Sequence, residues 1–154
     1  MNRRLTCEWT CAELKRISVT RLHEILKIRQ QVFIIEQTCI YSDIDDYDIL
    51  SSHLLGINKQ DELIAYCRII PPGTIYEEAA IGRVLVEKKY RGMGLGRELM
   101  LEAHKHCRTL YGTRVVRLNA QEYLKKFYES LGYRFIAGPH DEDGVLHIEM
   151  LKSM

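Results

Sequence analysis

The segment Arg91-Gly92-Met93-Gly94-Leu95-Gly96-Arg97 sets three glycines within five residues, between two arginines. Glycine accepts positive φ and lets a ligand reach the main chain. Where such a loop runs straight into a helix, free N–H groups and the positive end of the helix dipole converge on one small volume. That volume suits a phosphate. The letters exclude two other phosphate loops. A P-loop needs Gly-Lys-Ser/Thr after four intervening residues, and the dinucleotide fingerprint needs a third glycine where this chain has Arg97. A plain turn between strand and helix calls for one such glycine, not three.

The neighbouring elements fit that chemistry. Ala80-Ile81-Gly82-Arg83-Val84-Leu85-Val86 reads as an apolar strand entering the loop. After it, Leu95, Leu99, Ala103, Cys107 and Leu110 recur at helical spacing, with Glu98, Glu102, Lys105 and Arg108 on the other faces, until Tyr111-Gly112 ends the helix. Upstream, Ser18 or Thr20 caps a helix whose apolar face is Leu22, Ile25, Leu26, Val32 and Phe33, broken near Cys39-Ile40-Tyr41. Residues 53–57 and 62–70 read as hairpin strands around Asn58-Lys59-Gln60-Asp61, the second ended by Pro71-Pro72-Gly73. Then follow a strand at 115–120, a helix at 121–131, and strands at 133–137 and 145–150. Hairpin strands with a few crossover helices imply an α/β or α+β mixed sheet.

The pattern Arg-x-x-Gly-x-Gly, met by Arg91, Gly94 and Gly96, resembles the acetyl-CoA pyrophosphate loop of the GNAT N-acetyltransferases. Arg117-Leu118-Asn119-Ala120-Gln121, then Leu124, Phe127, Tyr128 and Leu131, closed by Gly132-Tyr133, is similar to the later motif of that family. The resemblance covers nearly the whole chain. Arg29, Val32-Phe33, Glu36-Gln37, Tyr41, Asp45, His53-Leu54-Leu55-Gly56, Ile81-Gly82-Arg83-Val84, Asn119-Ala120-Gln121 and Glu142-Asp143-Gly144 with His147 resemble its ElaA-like branch.

The resemblance implies one GNAT domain over residues 1–154, with a strongly twisted, mixed but mostly antiparallel sheet flanked by helices. That sheet is expected to open into a V where the strand carrying Val84-Leu85-Val86 parts from the one carrying Leu118-Asn119. The reaction implied is acetyl transfer from acetyl-CoA, as cosubstrate, to a primary amine of a small molecule, protein lysine or N-terminus, by direct attack in a ternary complex. The main chain from Gly92 through Met93, Gly94, Leu95 and Gly96 to Arg97 would bind the pyrophosphate, with Arg91 and Arg97 adding charge. Val84, Leu85 and Val86 would pair with the pantetheine, an N–H of Leu85 or Val86 polarising the thioester carbonyl. Asn119 would bond the pantetheine or cap the helix after it. Tyr128, by its spacing also a core aromatic, matches the tyrosine that protonates the departing thiolate. The base that takes the amine proton stays open among Glu36, His53, Glu142, Asp143 and His147. Met93 departs from the family, standing where many members carry a basic or polar residue. Members often form homodimers.

Composition narrows the alternatives. With 22 basic and 21 acidic side chains in 154 residues, and a formal charge of +1, nothing marks a nucleic-acid partner. No apolar run approaches a membrane span or a signal-peptide core, so a cytoplasmic location is expected. The five cysteines form no Cys-x-x-Cys pair; Cys67 and Cys107 read as small buried hydrophobes. Asp43, Asp45, Asp46 and Asp48 fail the calcium-loop spacing and read either as a solvated loop or as a negative lip for a cationic amine. His104 and His106 point to different helix faces, so no metal is expected. Two further functions remain: a catalytically silent CoA-binding regulatory or interaction module, and a nucleotide-binding protein, the latter opposed by the missing Lys-Ser/Thr and metal-binding acids.

Overall fold

The computed structural model describes residues 5–154. Its strands are β1 (Glu8–Glu13), β2 (Ser52–Ile57), β3 (Leu63–Ile70), β4 (Ala79–Val86), β5 (Val115–Gln121), β6 (Arg134–Glu142) and β7 (Val145–Ser153). They form one sheet in the order β1-β2-β3-β4-β5-β7-β6. Every pairing is antiparallel except β4 with β5. The helices are α1 (Val19–Arg29), α2 (Tyr47–Leu50), α3 (Leu95–Tyr111) and α4 (Lys125–Ser130). The mixed, mostly antiparallel sheet expected from the sequence is what forms.

β3 is buried along its whole length because helices cover both faces of the sheet. On one face Leu54, Ile64, Cys67 and Ile69 pack with Leu95, Leu99, Met100 and Ala103 of α3. On the other, Leu55, Leu63, Tyr66 and Leu85 pack with Ile25, Ile28, Val32 and Phe33. Cys67 and Cys107 are fully buried in the first of these cores, as small hydrophobes would be.

Several boundaries differ from the sequence expectation. β1 has no anticipated counterpart: as an edge strand, its residues alternate only between exposed and half-buried, leaving little hydrophobic period to detect. Trp9 lies across from Gly56 in that pairing, and a Cβ on Gly56 would sit 2.7 Å from the indole, so the glycine makes room for the ring. Ser18 is the cap of α1, accepting from the Arg21 N–H at 3.2 Å. The helix stays α-helical only to Arg29 and continues as a π-helix over Gln30–Glu36. The expected helix at 121–131 is a 3-10 turn at Glu122–Leu124 followed by α4. β6 and β7 run past their expected ends.

Apart from Asp46, which is exposed, the acidic stretch is neither a solvated loop nor a negative lip. Asp43 and Asp48 are buried, and three arginines from other elements neutralise the group. Arg29 reaches Asp43 at 3.0 Å and Asp48 at 2.7 Å; Arg68 reaches Asp45 at 2.6 Å and Asp48 at 3.1 Å. Arg83 lies 2.8 Å from Asp43 Oδ1 and stacks over Tyr41 at 5.2 Å. Buried carboxylates persist because each is paired. Against the burial that opposes ionisation, these arginines hold the Asp45 and Asp48 carboxyls below the ordinary range.

This cluster also positions a bend. Between the pairs Tyr66↔Leu85 and Arg68↔Gly82 the register of β4 slips by one residue, and Arg83 there has φ 50. A non-glycine in the left-handed region costs about 1–3 kcal/mol and persists only where its surroundings fix it. Here the side chain is fixed by Asp43 and Tyr41. A bulge increases local twist, and beyond it β4 leaves β5: those two strands pair only at Ala79↔Val116 and Ala80↔Arg117.

Candidate active site

The parting of β4 from β5 opens a cavity of about 670 Å³. One wall is β4 from Ile81 to Val86, whose outer edge has no strand partner among the described residues, while β5 pairs with β7 along its full length. The opposite wall is Leu118, Asn119, Ala120 and Gln121 of β5 with Tyr128 of α4. Val32, Phe33 and Gln37, from the π-helix and its end, form a third side. Of the residues singled out from the sequence, Val84, Leu85, Val86, Arg91, Gly92, Gly94, Leu95, Gly96, Arg97, Asn119, Tyr128 and His147 line this one cavity. Met93 does not; it points outward, 60% exposed.

At the loop end, Gly92 and Gly94 have φ of 79° and 82°, and a Cβ on either would meet nothing within 4 Å. Backbone conformation, not crowding, therefore requires these glycines. Gly96 is different. Its φ is ordinary, and an added Cβ would touch Phe127 at 3.7 Å and Val86 at 3.8 Å, both normal contacts. Gly94 caps α3 without any side-chain hydrogen bond, so the first N–H groups of a 17-residue helix face the cavity end unpaired. Arg91 donates from Nε to the Val86 carbonyl at 2.8 Å and from Nη2 to Glu36 at 3.0 Å. Arg97 is exposed and reaches Ser130 at 3.4 Å.

At the middle and far end the polar groups gather. Tyr128 is 4% exposed and held edge-on between Phe127 and Tyr133, with ring centroids 5.0 and 5.7 Å away. Burial pushes its phenol well up, so it stays protonated. Asn119 sits inside β5 and caps no helix; its Nδ2 donates to Glu142 Oε1 at 2.7 Å, leaving Oδ1 buried without a partner among the described residues. Glu142 also accepts from His140 Nε2 at 3.0 Å. Burial would raise the Glu142 carboxyl, but the hydrogen bonds from His140 and Asn119 hold it below its ordinary value. His147 contacts the Val145 carbonyl through Nδ1 at 2.9 Å and lies 3.8 Å from Glu142 Oε2 through Nε2.

Two expected base residues are not brought to this cavity. His53 is 1% exposed, its ring held by Tyr66 OH at 2.6 Å and by the Asp48 carbonyl at 2.9 Å. Burial lowers its pKa, and it serves the acidic cluster on the α1 side of the sheet. Glu36 lies outside the cavity lining, paired with Arg91. His140 was missed by sequence reading, because the expected strand stopped at residue 137. Alternation along β6 brings it beside Glu142 two positions later.

A family model described as the acetyltransferase (GNAT) domain matches residues 28–154. Protein ElaA of Escherichia coli K12 is 37% identical over 149 residues, 96% of this chain and 97% of ElaA. The crystal structure of Escherichia coli ElaA superposes with a TM-score of 0.89 at 36% identity, covering 96% of this chain and 100% of that one. An acyl-CoA N-acyltransferase from Pseudomonas aeruginosa gives the same TM-score, 0.89, at 30% identity over 96% of this chain and 100% of that one. With the opened sheet and the glycine loop at the start of α3, these likenesses carry one conclusion: the chain belongs to the GNAT acetyltransferase family, in its ElaA branch, and is an acyltransferase of the acyl-CoA-using kind.

Proposed function

We propose that this chain is an acetyl-CoA-dependent N-acetyltransferase, passing an acetyl group to a primary amine of a small molecule, protein lysine or N-terminus by direct attack in a ternary complex. The observation that carries the reading is the unpaired edge of β4, which runs past Tyr128 to the exposed N–H groups of α3. The main chain of residues 92–97 holds the pyrophosphate, since a helix N-terminus preceded by glycines accepts anions without side-chain help. Arg91, partly engaged by Glu36, and Arg97 add screened surface charge. The edge of Val84, Leu85 and Val86 pairs with the pantetheine amides as an added strand would, and Asn119 Oδ1, with no other donor, accepts one further N–H. The N–H of Leu85 or Val86 donates to the thioester oxygen as negative charge develops.

Tyr128 is the donor to the sulfur that leaves. Its phenol stays neutral because burial opposes ionisation. The acceptor amine enters from the side of Gln37, Tyr41, Glu142 and His147, all of which line the cavity. No step needs a metal ion. The reading keeps the chain in the cytoplasm, supported by five cysteines that are all free thiols.

Calorimetric titration with acetyl-CoA, CoA and ATP, joined to an assay of CoA release with pooled amines, tests the reading. Binding of acetyl-CoA with amine-dependent release is expected. Binding without release under any amine would leave a silent CoA-binding module instead. Tyr128→Phe should lower kcat about 100-fold, within the usual contribution of a general acid, with acetyl-CoA affinity unchanged. An unchanged kcat across the pH range would remove Tyr128 from the chemistry.

A further inference from the structure

Beyond the acyl-donor groove, three side chains from β6 and β7 form a unit at the acceptor end of the cavity. His147 is largely buried, 15% exposed, while Glu142 and His140 are 43% and 41% exposed and open to solvent. A carbonyl oxygen can only accept, so the 2.9 Å contact of His147 Nδ1 with Val145 O fixes the proton on Nδ1. The neutral ring then carries its lone pair on Nε2. That nitrogen lies 3.8 Å from Glu142 Oε2, beyond a hydrogen bond. A single ammonium nitrogen about 2.8 Å from each acceptor fits between them and can donate to both. Glu142 is itself held by donors on its other oxygen, His140 at 3.0 Å and Asn119 at 2.7 Å, which aim Oε2 at the gap. The two imidazoles lie nearly parallel, 6.2 Å apart at 27°.

We propose that His147 is the base that deprotonates the incoming ammonium group, with Glu142 as the residue that docks that group and steadies the imidazolium, and with His140 positioning Glu142. The assignment rests on the acetyltransferase reading above and names the acceptor as an alkylammonium, a cation with at least two N–H donors. In the step, one N–H proton of the ammonium passes to His147 Nε2 and the nitrogen keeps the electron pair. That pair forms the C–N bond to the acetyl carbon, the C–S bond breaks, and the sulfur takes its proton from Tyr128. The second proton lost by the nitrogen restores Tyr128 through solvent, and the proton on His147 leaves to water with the product. The ionisable groups facing His147 are His140 and Glu142 on β6 and Asp143 in the following turn; across β5 it faces the neutral Gln121, which is bonded to Gln37 at 2.8 Å.

The test measures kcat/KM against pH for the wild type, His147→Gln and Glu142→Gln, with a panel of alkylamines and one weakly basic amine that is neutral at the assay pH. His147→Gln is expected to lower the alkylamine rate near neutral pH by about 10²–10⁴-fold and to move the acid limb of its profile up to the ionisation of the amine itself, because only the free amine then reacts. It should cost the weakly basic amine far less, because that acceptor arrives already deprotonated. Glu142→Gln should raise KM for the alkylammonium acceptors, which lose their docking anion, more than it lowers kcat, and should leave KM for the weakly basic amine nearly unchanged. Calorimetry should find acetyl-CoA affinity unchanged in His147→Gln. Nitrogen NMR of the His147 ring needs no turnover: an Nδ1–H tautomer is expected. An Nε2–H tautomer, or an alkylamine pH profile in His147→Gln that matches the wild type, overturns the assignment while leaving the acetyltransferase reading intact. A wild type that binds no acetyl-CoA removes both.

Discussion

Two polar clusters flank the bend in β4, and they are built on opposite terms. On the α1 side, Arg29, Arg68 and Arg83 face Asp43, Asp45 and Asp48 with ion pairs as short as 2.6 Å, and His53 is tied at both ring nitrogens. Positive and negative charges match, three arginines against three aspartates, and the atoms left without a hydrogen-bond partner among the described residues, Arg68 Nε and Arg83 Nε, are donors. On the β5–β7 side, Asn119 keeps an unpartnered oxygen, and His147 and Glu142 stand 3.8 Å apart. Acceptors there outnumber donors. The closed cluster holds the chain in shape, including the strained Arg83; the open one has the character of a site, since its missing donors are what an amide or an ammonium supplies. A histidine or carboxylate beside a conspicuous charge run is therefore not thereby catalytic. What separates His147 from His53 is whether its second ring nitrogen has been spent.

The largest test of this contrast is Arg29→Ala, which takes from Asp43 and Asp48 one of the two arginines each is paired with. A loss of about 3–5 kcal/mol in urea denaturation is expected, as for breaking any buried ion pair from one side; a loss under about 1 kcal/mol would mean the closed cluster is not structural. Acid titration of stability comes next. Burial lowers the pKa of His53 and pushes His104, bonded to Tyr133 at 2.6 Å, down to about 4. A histidine whose folded value lies below its unfolded one takes its proton more readily when unfolded. Its stabilisation is thus complete above about pH 6.5 and is lost as pH falls towards about 4, by about 2–3 kcal/mol for His104. In His104→Gln the melting temperature should vary less across that window; an identical slope would remove His104 as the source.

The glycine pair at the loop gives a finer test. Gly94→Ala should destabilise by about 1–2 kcal/mol, because its φ of 82° is costly for an L side chain. Gly96→Ala should leave the melting temperature unchanged, its Cβ meeting only contacts of 3.7 and 3.8 Å. It should nevertheless weaken acetyl-CoA binding in calorimetry, because the methyl group occupies the face a phosphate approaches. The smallest effect is expected for Glu36→Gln. Its pair with Arg91 is partly exposed, 43% and 20% for the two side chains, and pairs of that kind contribute about 0–1 kcal/mol. A 100-fold fall in kcat there would return Glu36 to the chemistry and blur the line drawn between the clusters.

The loop and the helix after it were legible in the sequence because both are local. Three glycines bracketed by arginines, and apolar residues at helical spacing, act over a few neighbours. The same holds for the β2–β3 hairpin and for the burial of Cys67 and Cys107. The role of Asp43 and Asp48 was not legible, since the arginines that neutralise them lie 14 to 40 residues away in the chain. Neither was β1, whose Trp9 finds its reason in Gly56, nor the reach of β6 that sets His140 beside Glu142.

Residue order alone thus determined the family resemblance, the anion-binding loop and the alternation of strands and helices, because backbone preference and hydrophobic period are short-range properties. Only the tertiary structure decided which histidine is sealed and which is open, where the carboxylates find their partners, and how far β4 leaves β5. Those depend on which distant side chains meet, and on a bulge at Arg83 that its anchors, not its own preference, hold in place.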